Sequence, residues 1–173
     1  MADPKTGEIG WYSPDPRGVF LLEHFKKPRS LNLTIKKGVF EVRVDTQFEQ
    51  VMRGCARRDE TWISEEIIRS YVRLFELGYG HSVETWRDGR LVGGLYGVAV
   101  GGAFFGESMF SADRDASKVE LVFLVDRMKE RGFRLLDTQY ITPHLARFGA
   151  EEISKDAYMK MLQSALKQEC TFN

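Results

Sequence analysis

Two polar residues near residue 140 have the types and spacing to act together. Asp137 and Gln139 end the short, largely apolar segment 133–139. A short apolar run is typical of a central strand, and side chains two apart on a strand point to the same face. At the end of a central strand, such a pair faces a crevice. The spacing therefore predicts a carboxylate and an amide that lie together in a cleft.

A second candidate is Glu107, a single acid within the apolar segment 104–110. Burying a carboxylate costs on the order of several kcal/mol unless it is paired or hydrogen-bonded. Glu107 therefore needs a partner. That partner is either a structural hydrogen bond or a ligand, and the residue types leave both open.

Several familiar site chemistries find no support in the motifs. The histidines at 24, 81 and 144 lack metal-ligand spacing, which favours structural roles for them. The glycines between residues 93 and 102 match neither the phosphate-loop nor the dinucleotide pattern, and glycines within a strand more often mark bulges or close backbone approach. The segment 106–109 also lacks the second glycine of a nucleophile elbow.

Composition is that of an ordinary globular domain. The chain has 173 residues, of which 43% are hydrophobic and 29% charged, enough apolar residues for a real core. No apolar run reaches the roughly 18 residues that span a bilayer, and the N-terminus lacks the apolar stretch of a signal peptide. We therefore expect a cytoplasmic protein without a membrane partner, present as a monomer, with Cys55 and Cys170 as free thiols.

The net charge is zero, but one stretch is basic. Between residues 24 and 43 there are six Lys or Arg and one Glu, so this stretch carries a charge of about +5. Clustered cations release counterions from a polyanion, which is typical of nucleic-acid binding, whereas a solvated basic loop is the plainer alternative. The candidate RNA-binding residues are Lys26, Lys27, Arg29, Lys36 and Lys37.

The helices and strands that must position these residues are predicted from hydrophobic periodicity and from the capping residues, glycines and prolines at their ends. Helices are predicted near 46–57, 65–77 and 119–131, at Thr142-Pro143 and after Ser154, and strands near 39–44, 81–86, 91–100, 103–110, 133–139 and Ile153. Residues 10–18 read as a proline-containing loop. This order predicts an α+β fold with a mixed, mostly antiparallel sheet and helices on both faces. Acyltransferases of the GNAT type have this element order.

A resemblance to a known family rests on seven motifs in order between residues 10 and 162. They are Trp11-Tyr12-Ser13-Pro14-Asp15-Pro16-Arg17, Thr61-Trp62-Ile63, Gly80-His81-Ser82-Val83-Glu84, Leu91-Val92-Gly93-Gly94-Leu95-Tyr96-Gly97, Gly106-Glu107-Ser108-Met109-Phe110-Ser111, Asp115-Ala116-Ser117-Lys118 and Leu136-Asp137-Thr138-Gln139. Together they resemble the leucyl/phenylalanyl-tRNA–protein transferases. Each motif alone is weak, but all seven in this order are specific.

This resemblance implies a GNAT-like catalytic domain that transfers Leu or Phe from aminoacyl-tRNA to proteins beginning with Arg or Lys, which marks them for degradation. By motif, Asp137 and Gln139 match the catalytic pair, Trp62 an aromatic near the terminal adenosine of the tRNA, and Glu107 a binding-site acid. The positions that line the amino-acid side-chain pocket match Phe104, Met109, Ser111, Leu121 and Leu136, with Met128 where relatives can carry an aromatic residue.

The sequence departs from the family at its start, because family members usually have a further segment before the motif that begins at Trp11. We expect residues 1–20 to be a remnant of that segment and residues 21–173 to form the catalytic domain. In the mechanism we expect, Gln139 orients the attacking amine, Asp137 polarises Gln139, and no metal or cofactor takes part. An apolar pocket would select large side chains without a β-branch, which leaves Met transfer open.

Two other functions stay open. An acyl-CoA-dependent N-acyltransferase on the same fold needs a glycine-rich pyrophosphate turn leading into a helix, and the segment 114–117 has no glycine. A non-catalytic protein that binds tRNA or N-terminal degradation signals is the third possibility. The presence of both Asp137 and Gln139 argues against it.

Overall fold

The computed structural model describes residues 3, 6 and 8–173, which contain one seven-stranded sheet in the order β2-β3-β4-β5-β6-β1-β7. The strands are β1 (Arg17–Phe20), β2 (Glu41–Val44), β3 (Gly80–Arg87), β4 (Arg90–Val100), β5 (Ala103–Ser111), β6 (Leu135–Gln139) and β7 (Glu151–Ile153). The helices are α1 (Arg29–Lys36), α2 (Phe48–Ala56), α3 (Glu65–Glu76), α4 (Ala116–Glu130), α5 (Pro143–Ala146) and α6 (Lys155–Ala165).

Neighbouring strands are antiparallel with one exception. β5 and β6 run parallel, and they are paired only where Ala103–Phe105 lies beside Leu135–Asp137. The sheet is therefore mixed and mostly antiparallel, as predicted. Helix α4 connects β5 to β6 as the crossover that a parallel pair requires.

Helices cover both faces of the sheet. Leu95 and Tyr96 are consecutive on β4 and point to opposite faces. Leu95 packs in the core that includes Leu121 and Val125 of α4, whereas Tyr96 packs in the core that includes residues of α2 and α3. A third, smaller core joins Leu135 of β6 to α6. The predicted arrangement of helices is confirmed.

Local sequence signals place most element ends. The Ser64 and Ser154 hydroxyls accept the Ile67 and Ala157 backbone N–H groups at 3.3 and 3.4 Å, which caps α3 and α6 as predicted. Asp88 and Gly89 have φ of 52° and 71°, values that suit the two-residue hairpin between β3 and β4. No helix within the described residues is long and apolar enough to cross a lipid bilayer.

The structure differs from the sequence-based prediction at two places near the N-terminus. Arg17–Phe20 is a strand within the sheet, between β6 and β7, rather than part of a loop. Its partners lie more than 110 residues away, so no local pattern could indicate it. Arg29–Lys36 in the basic stretch forms helix α1, which buries Leu31. The domain division after residue 20 stays a prediction, although β1 belongs to the same sheet as the following strands.

Candidate active site

The site lies where β5 and β6 separate. The pairing of β5 with β6 stops at Phe105 and Asp137, although β5 continues to Ser111 and β6 to Gln139. A cavity of about 850 Å³ lies at this point and is lined from both faces of the sheet. A split between parallel strands therefore supplies the crevice that the sequence predicted for the end of a central strand.

One part of the cavity is apolar. Its lining on the α4 side includes Leu95, Met109, Leu121, Leu124 and Leu136. Side chains of this kind bind an apolar group by burial, at about 0.8 kcal/mol per CH₂ group. This part can take an aliphatic or aromatic side chain of a ligand.

The opposite part of the cavity is aromatic and polar. Trp62, Tyr71 and Glu107 line it, and Trp11 stands 96% exposed among the lining residues. The Arg58 guanidinium donates to the Met109 carbonyl at 2.5 Å and to the Ser108 hydroxyl at 3.3 Å, which ties the loop after α2 to β5. Exposed and half-buried aromatic rings of this kind can stack on flat ligand groups.

Burial raises the pKa of the Glu107 carboxyl, and the nearby Asp137 carboxylate raises it further. A hydrogen bond with the Tyr71 hydroxyl and the positive charge of Arg17 act in the opposite direction without cancelling the shift. The Tyr71 hydroxyl therefore offsets part of the effect of burial on Glu107. A buried carboxyl beside a cavity, whose burial its neighbours do not fully offset, is suited to binding a cationic group or a hydrogen-bond donor.

Asp137 is fully buried and accepts hydrogen bonds from three residues. Arg17 donates from Nε to Oδ1 at 3.0 Å and from Nη2 to Oδ2 at 2.7 Å. The Tyr158 hydroxyl donates to Oδ2 at 2.6 Å, and the Gln139 backbone N–H donates to Oδ1 at 2.9 Å. Arg17 lines the cavity, whereas Asp137 lies behind it. The carboxylate therefore holds the residues around it and does not itself face the cavity.

The contact between Asp137 and Gln139 differs from the one expected. The sequence predicted that the two side chains would share a face and touch, but the hydrogen bond between them uses the Gln139 backbone amide. Gln139 has φ of 58°, which breaks the alternation of the strand at its last residue. Gln139 accordingly lines the cavity, while the Asp137 carboxylate is bound by Tyr158 of α6.

Most of the predicted site residues line the cavity, but some do not. The lining residues among them are Trp62, Glu107, Met109, Ser111, Leu121, Leu136 and Gln139. Phe104 and Met128 are fully buried in the core on the α4 side, where the Phe104 ring lies 5.1 Å from the ring of Phe172. The structure therefore places these two behind the pocket, in the packing that supports it.

The basic residues of the sequence lie outside the cavity. Lys26, Lys27, Arg29, Lys36 and Lys37 are all exposed, along α1 and the segments that flank it. The Lys27 ammonium pairs with Asp126 of α4 at 3.2 Å. The stretch is thus a charged helical surface rather than a loop.

Sequence reasoning missed two residues that organise the site. Arg17 belongs to the proline-containing motif, but nothing in that motif indicated a partner 120 residues away. Tyr158 lies in α6 at a position that reads as ordinary core, so no local signal could identify it. Within residues 3, 6 and 8–173, no group of three or more His, Cys, Asp or Glu residues could hold a metal ion.

The family model and two of the most similar relatives carry the same family name. A family model described as leucyl/phenylalanyl-tRNA protein transferase matches residues 19–163. A leucyl/phenylalanyl-tRNA–protein transferase of Paramagnetospirillum magneticum is 58% identical over 167 residues, which cover 94% of this chain and 80% of that one. One of Herpetosiphon aurantiacus with the same name is 54% identical over 97% of this chain and 88% of that one.

Likeness to solved structures concerns the fold alone. The C-terminal domain of a putative lysylphosphatidylglycerol synthetase from Agrobacterium fabrum superposes with a TM-score of 0.51 at 13% identity, covering 87% of this chain and 51% of that one. The α+β fold class that the element order predicted is confirmed.

Proposed function

This chain belongs to the leucyl/phenylalanyl-tRNA–protein transferase family, and we propose that it moves Leu or Phe from aminoacyl-tRNA to the N-terminal amino group of proteins that begin with Arg or Lys. The observation that carries the proposal is the cavity between β5 and β6, which combines an apolar part with Gln139 and Glu107. Transfer of Met, and degradation as the fate of the products, belong to the same proposal.

The apolar part of the cavity would hold the side chain of the transferred amino acid. Leu95, Met109 and Leu121 offer burial without a hydrogen-bonding requirement, which favours Leu and Phe over polar amino acids. An apolar pocket discriminates only modestly between side chains that differ by one methylene group. Trp62 would stack on the terminal adenosine, on the opposite side of the same cavity.

The reaction needs an aligned amine more than a strong base. A protein α-amino group has a pKa of about 8, so part of it is neutral at pH 7. Its nitrogen attacks the ester carbonyl carbon, the carbon–nitrogen bond forms and the bond to the ribose oxygen breaks. The proton lost by the nitrogen ends on that ribose oxygen, which leaves a peptide bond and an uncharged tRNA. Alignment in one cavity can supply much of the rate.

Gln139 would accept a hydrogen bond from the attacking amine and so fix its direction. Because Asp137 bonds the Gln139 backbone N–H, it would act by holding Gln139 at its positive φ. Arg17 and Tyr158 in turn hold Asp137. In this arrangement the buried carboxylate supports the geometry of the cavity from behind, which replaces the side-chain polarisation that we expected from the sequence.

Glu107 would contribute to binding of the acceptor. Its carboxyl lies in the cavity beside Tyr71 and is suited to the cationic first residue or the α-amino group of the acceptor. The exposed cations of α1 and the segments that flank it would bind the tRNA backbone outside the cavity.

The test is incorporation of radiolabelled leucine from leucyl-tRNA into a peptide that begins with Arg. The same peptide with an acetylated N-terminus is the matched control, and acetyl-CoA replaces leucyl-tRNA in a parallel reaction. We expect label only on the free N-terminus and no acetyl transfer. Acetyl transfer would favour the acyl-CoA alternative, and tight binding of leucyl-tRNA without any label on the peptide would favour a non-catalytic protein.

A further inference from the structure

Within the described residues, three polar atoms of the cavity wall are shielded from solvent and unpaired: the Tyr96 hydroxyl, on the face of the sheet that α2 and α3 cover, and one atom each of Thr138 and His144. Within the part of the chain that the structure describes, neither the Thr138 hydroxyl nor Nε2 of His144 has a hydrogen-bond partner. Both side chains line the cavity. A buried polar atom without a partner is destabilising, and most such atoms in proteins are paired. The atoms of Thr138 and His144 indicate a place prepared for a polar group of a ligand.

Both residues are held in place. Thr138 lies on β6 between Asp137 and Gln139, and its carbonyl accepts the Tyr140 backbone N–H at 2.6 Å. On that strand it shares the face of Leu136, which lines the apolar part of the cavity. The unpaired hydroxyl is therefore presented on the α4 side of the cavity.

His144 lies in α5, whose start is capped by the Thr142 hydroxyl, which accepts the Leu145 backbone N–H at 3.3 Å. The imidazole packs against the Phe148 ring with 5.4 Å between centroids. This contact places the imidazole between α5 and the segment that follows it.

The electrostatics around His144 limit the kind of ligand group. Burial lowers the pKa of His144, and the positive charges of Lys118 and Arg147 lower it further, so the ring is neutral near pH 7. A hydroxyl and a neutral imidazole can each donate or accept, which fits a ligand hydroxyl. Lys118 is paired with Asp115 at 2.5 Å, so Arg147 is the nearby cation that disfavours an ammonium group and favours a phosphate beside that hydroxyl. A hydroxyl next to a phosphate is the pattern of a ribonucleotide.

This end of the cavity adjoins the basic surface. The Lys26 backbone N–H donates to the Phe148 carbonyl at 2.8 Å, directly after α5. Gly149, with φ of 91°, allows the chain to pass close to the His24 carbonyl and the Lys26 side chain. A strand of RNA on the exposed cations would therefore reach the cavity at α5.

We propose that Thr138 and His144 form a subsite for a ribose hydroxyl of the RNA strand whose end carries the amino acid. The inference rests on the proposed function and adds a contact to it. The contact is to the sugar, so it would distinguish RNA from DNA at one nucleotide.

The experiment is a double-mutant cycle between protein and RNA. Leucyl-tRNA is prepared with a single 2′-deoxyribose at each of its last three nucleotides in turn, with the leucine on the 3′ oxygen. Dissociation constants are measured for the wild type, Thr138→Val and His144→Phe. For the wild type, we expect one of the three deoxy substitutions to weaken binding about three- to tenfold, the scale of one hydrogen bond. For the variants, the same deoxy substitution should leave the dissociation constant unchanged.

Stability provides a second readout that a structural role would not give. Thr138→Val removes an unpaired hydroxyl at nearly constant shape, so its melting temperature without RNA should equal or exceed that of the wild type. His24→Phe is the control, because His24 is exposed, pairs with Glu151 and lies outside the cavity. It should keep the full deoxy effect.

The outcomes separate the subsite from the function. If the wild type transfers leucine but every deoxy penalty persists in both variants, the subsite is wrong and the proposed function stands. A lower melting temperature for Thr138→Val with unchanged RNA affinity would assign the hydroxyl to the structure and also overturn the subsite. If the wild type neither binds leucyl-tRNA nor transfers leucine, both proposals fall together.

Discussion

Glu120 gives the sharpest prediction on stability. It lies on α4, is fully buried against the sheet, and accepts a hydrogen bond from the Thr85 hydroxyl at 2.6 Å. Its other oxygen is buried and, within the described residues, has no hydrogen-bond partner. Burial raises the pKa of this carboxyl from 4.5 to about 8. The folded protein therefore keeps Glu120 protonated at a pH where the unfolded chain has released the proton.

The sign and size of the effect follow from proton linkage. Between pH 4.5 and 8 the folded state binds one more proton than the unfolded state, so the free energy of unfolding falls as the pH rises. Each pH unit across this window costs about 1.4 kcal/mol, which gives a total on the order of 4–5 kcal/mol. Below pH 4.5 the carboxyl is protonated in both states and contributes no pH dependence.

The perturbation is Glu120→Gln, which keeps the shape and removes the titration. Urea unfolding of both proteins from pH 4.5 to 9 gives a difference curve in which all other groups cancel. We expect the variant to gain on the wild type by about 1.4 kcal/mol per pH unit and to level off near pH 8. Glu130→Gln, at an exposed position of the same helix, is the matched control for the substitution. A flat curve for Glu120→Gln would refute the reasoning.

Three further predictions concern the site. Lys36→Gln/Lys37→Gln should raise the KM for leucyl-tRNA and reduce the slope of log affinity against log salt by about 1 for each phosphate that the protein no longer neutralises, measured across a salt series. The KM for an Arg-starting peptide should rise as the pH falls through the raised pKa of Glu107, because the protonated carboxyl no longer attracts a cation, and Glu107→Gln should abolish this dependence. Tyr158→Phe removes the 2.6 Å hydrogen bond to Asp137 and should lower kcat about tenfold with KM for both substrates retained, whereas an unchanged kcat would mean that the bond only stabilises the fold.

The sequence predicted well those features that depend on local patterns. The helical spacing and the serine caps placed α3 and α6, and the change to a period of two placed the meander β3-β4-β5. The glycines of β4 mark close approach, as expected: a Cβ on Gly93 would collide with Glu120 and Thr85. These features depend on residues that are close together in the sequence, so they can be predicted from the sequence alone.

Features that depend on distant partners could not be predicted. β1 is a strand because β6 and β7 lie on either side of it, and the Arg17 guanidinium is held at the cavity because Asp137 lies beside it. The alternation rule placed Asp137 and Gln139 on one face, but a positive φ at the strand end separated them. The Asp137 side chain accepts the backbone N–H of Gln139 two residues on, a local contact that the alternation rule does not take into account.

The part of Phe104 in the pocket stays a prediction from the resemblance. The motif match placed it in the pocket lining, whereas the structure packs it between the sheet and Phe172 in the core. We therefore attribute to Phe104 a part in supporting the pocket. The lining itself is left to Met109, Leu121 and their apolar neighbours.

The central claim is that Gln139, at the separation of β5 and β6, aligns the amine for transfer. The most direct measurement is the single-turnover rate of leucine transfer from leucyl-tRNA to an Arg-starting peptide, for the wild type and for Gln139→Ala, at saturating concentrations of both substrates. We predict a rate at least about 10²-fold lower for the variant, with the dissociation constant of leucyl-tRNA within a few-fold and the same melting temperature. A folded Gln139→Ala protein that transfers leucine at the wild-type rate would contradict the account.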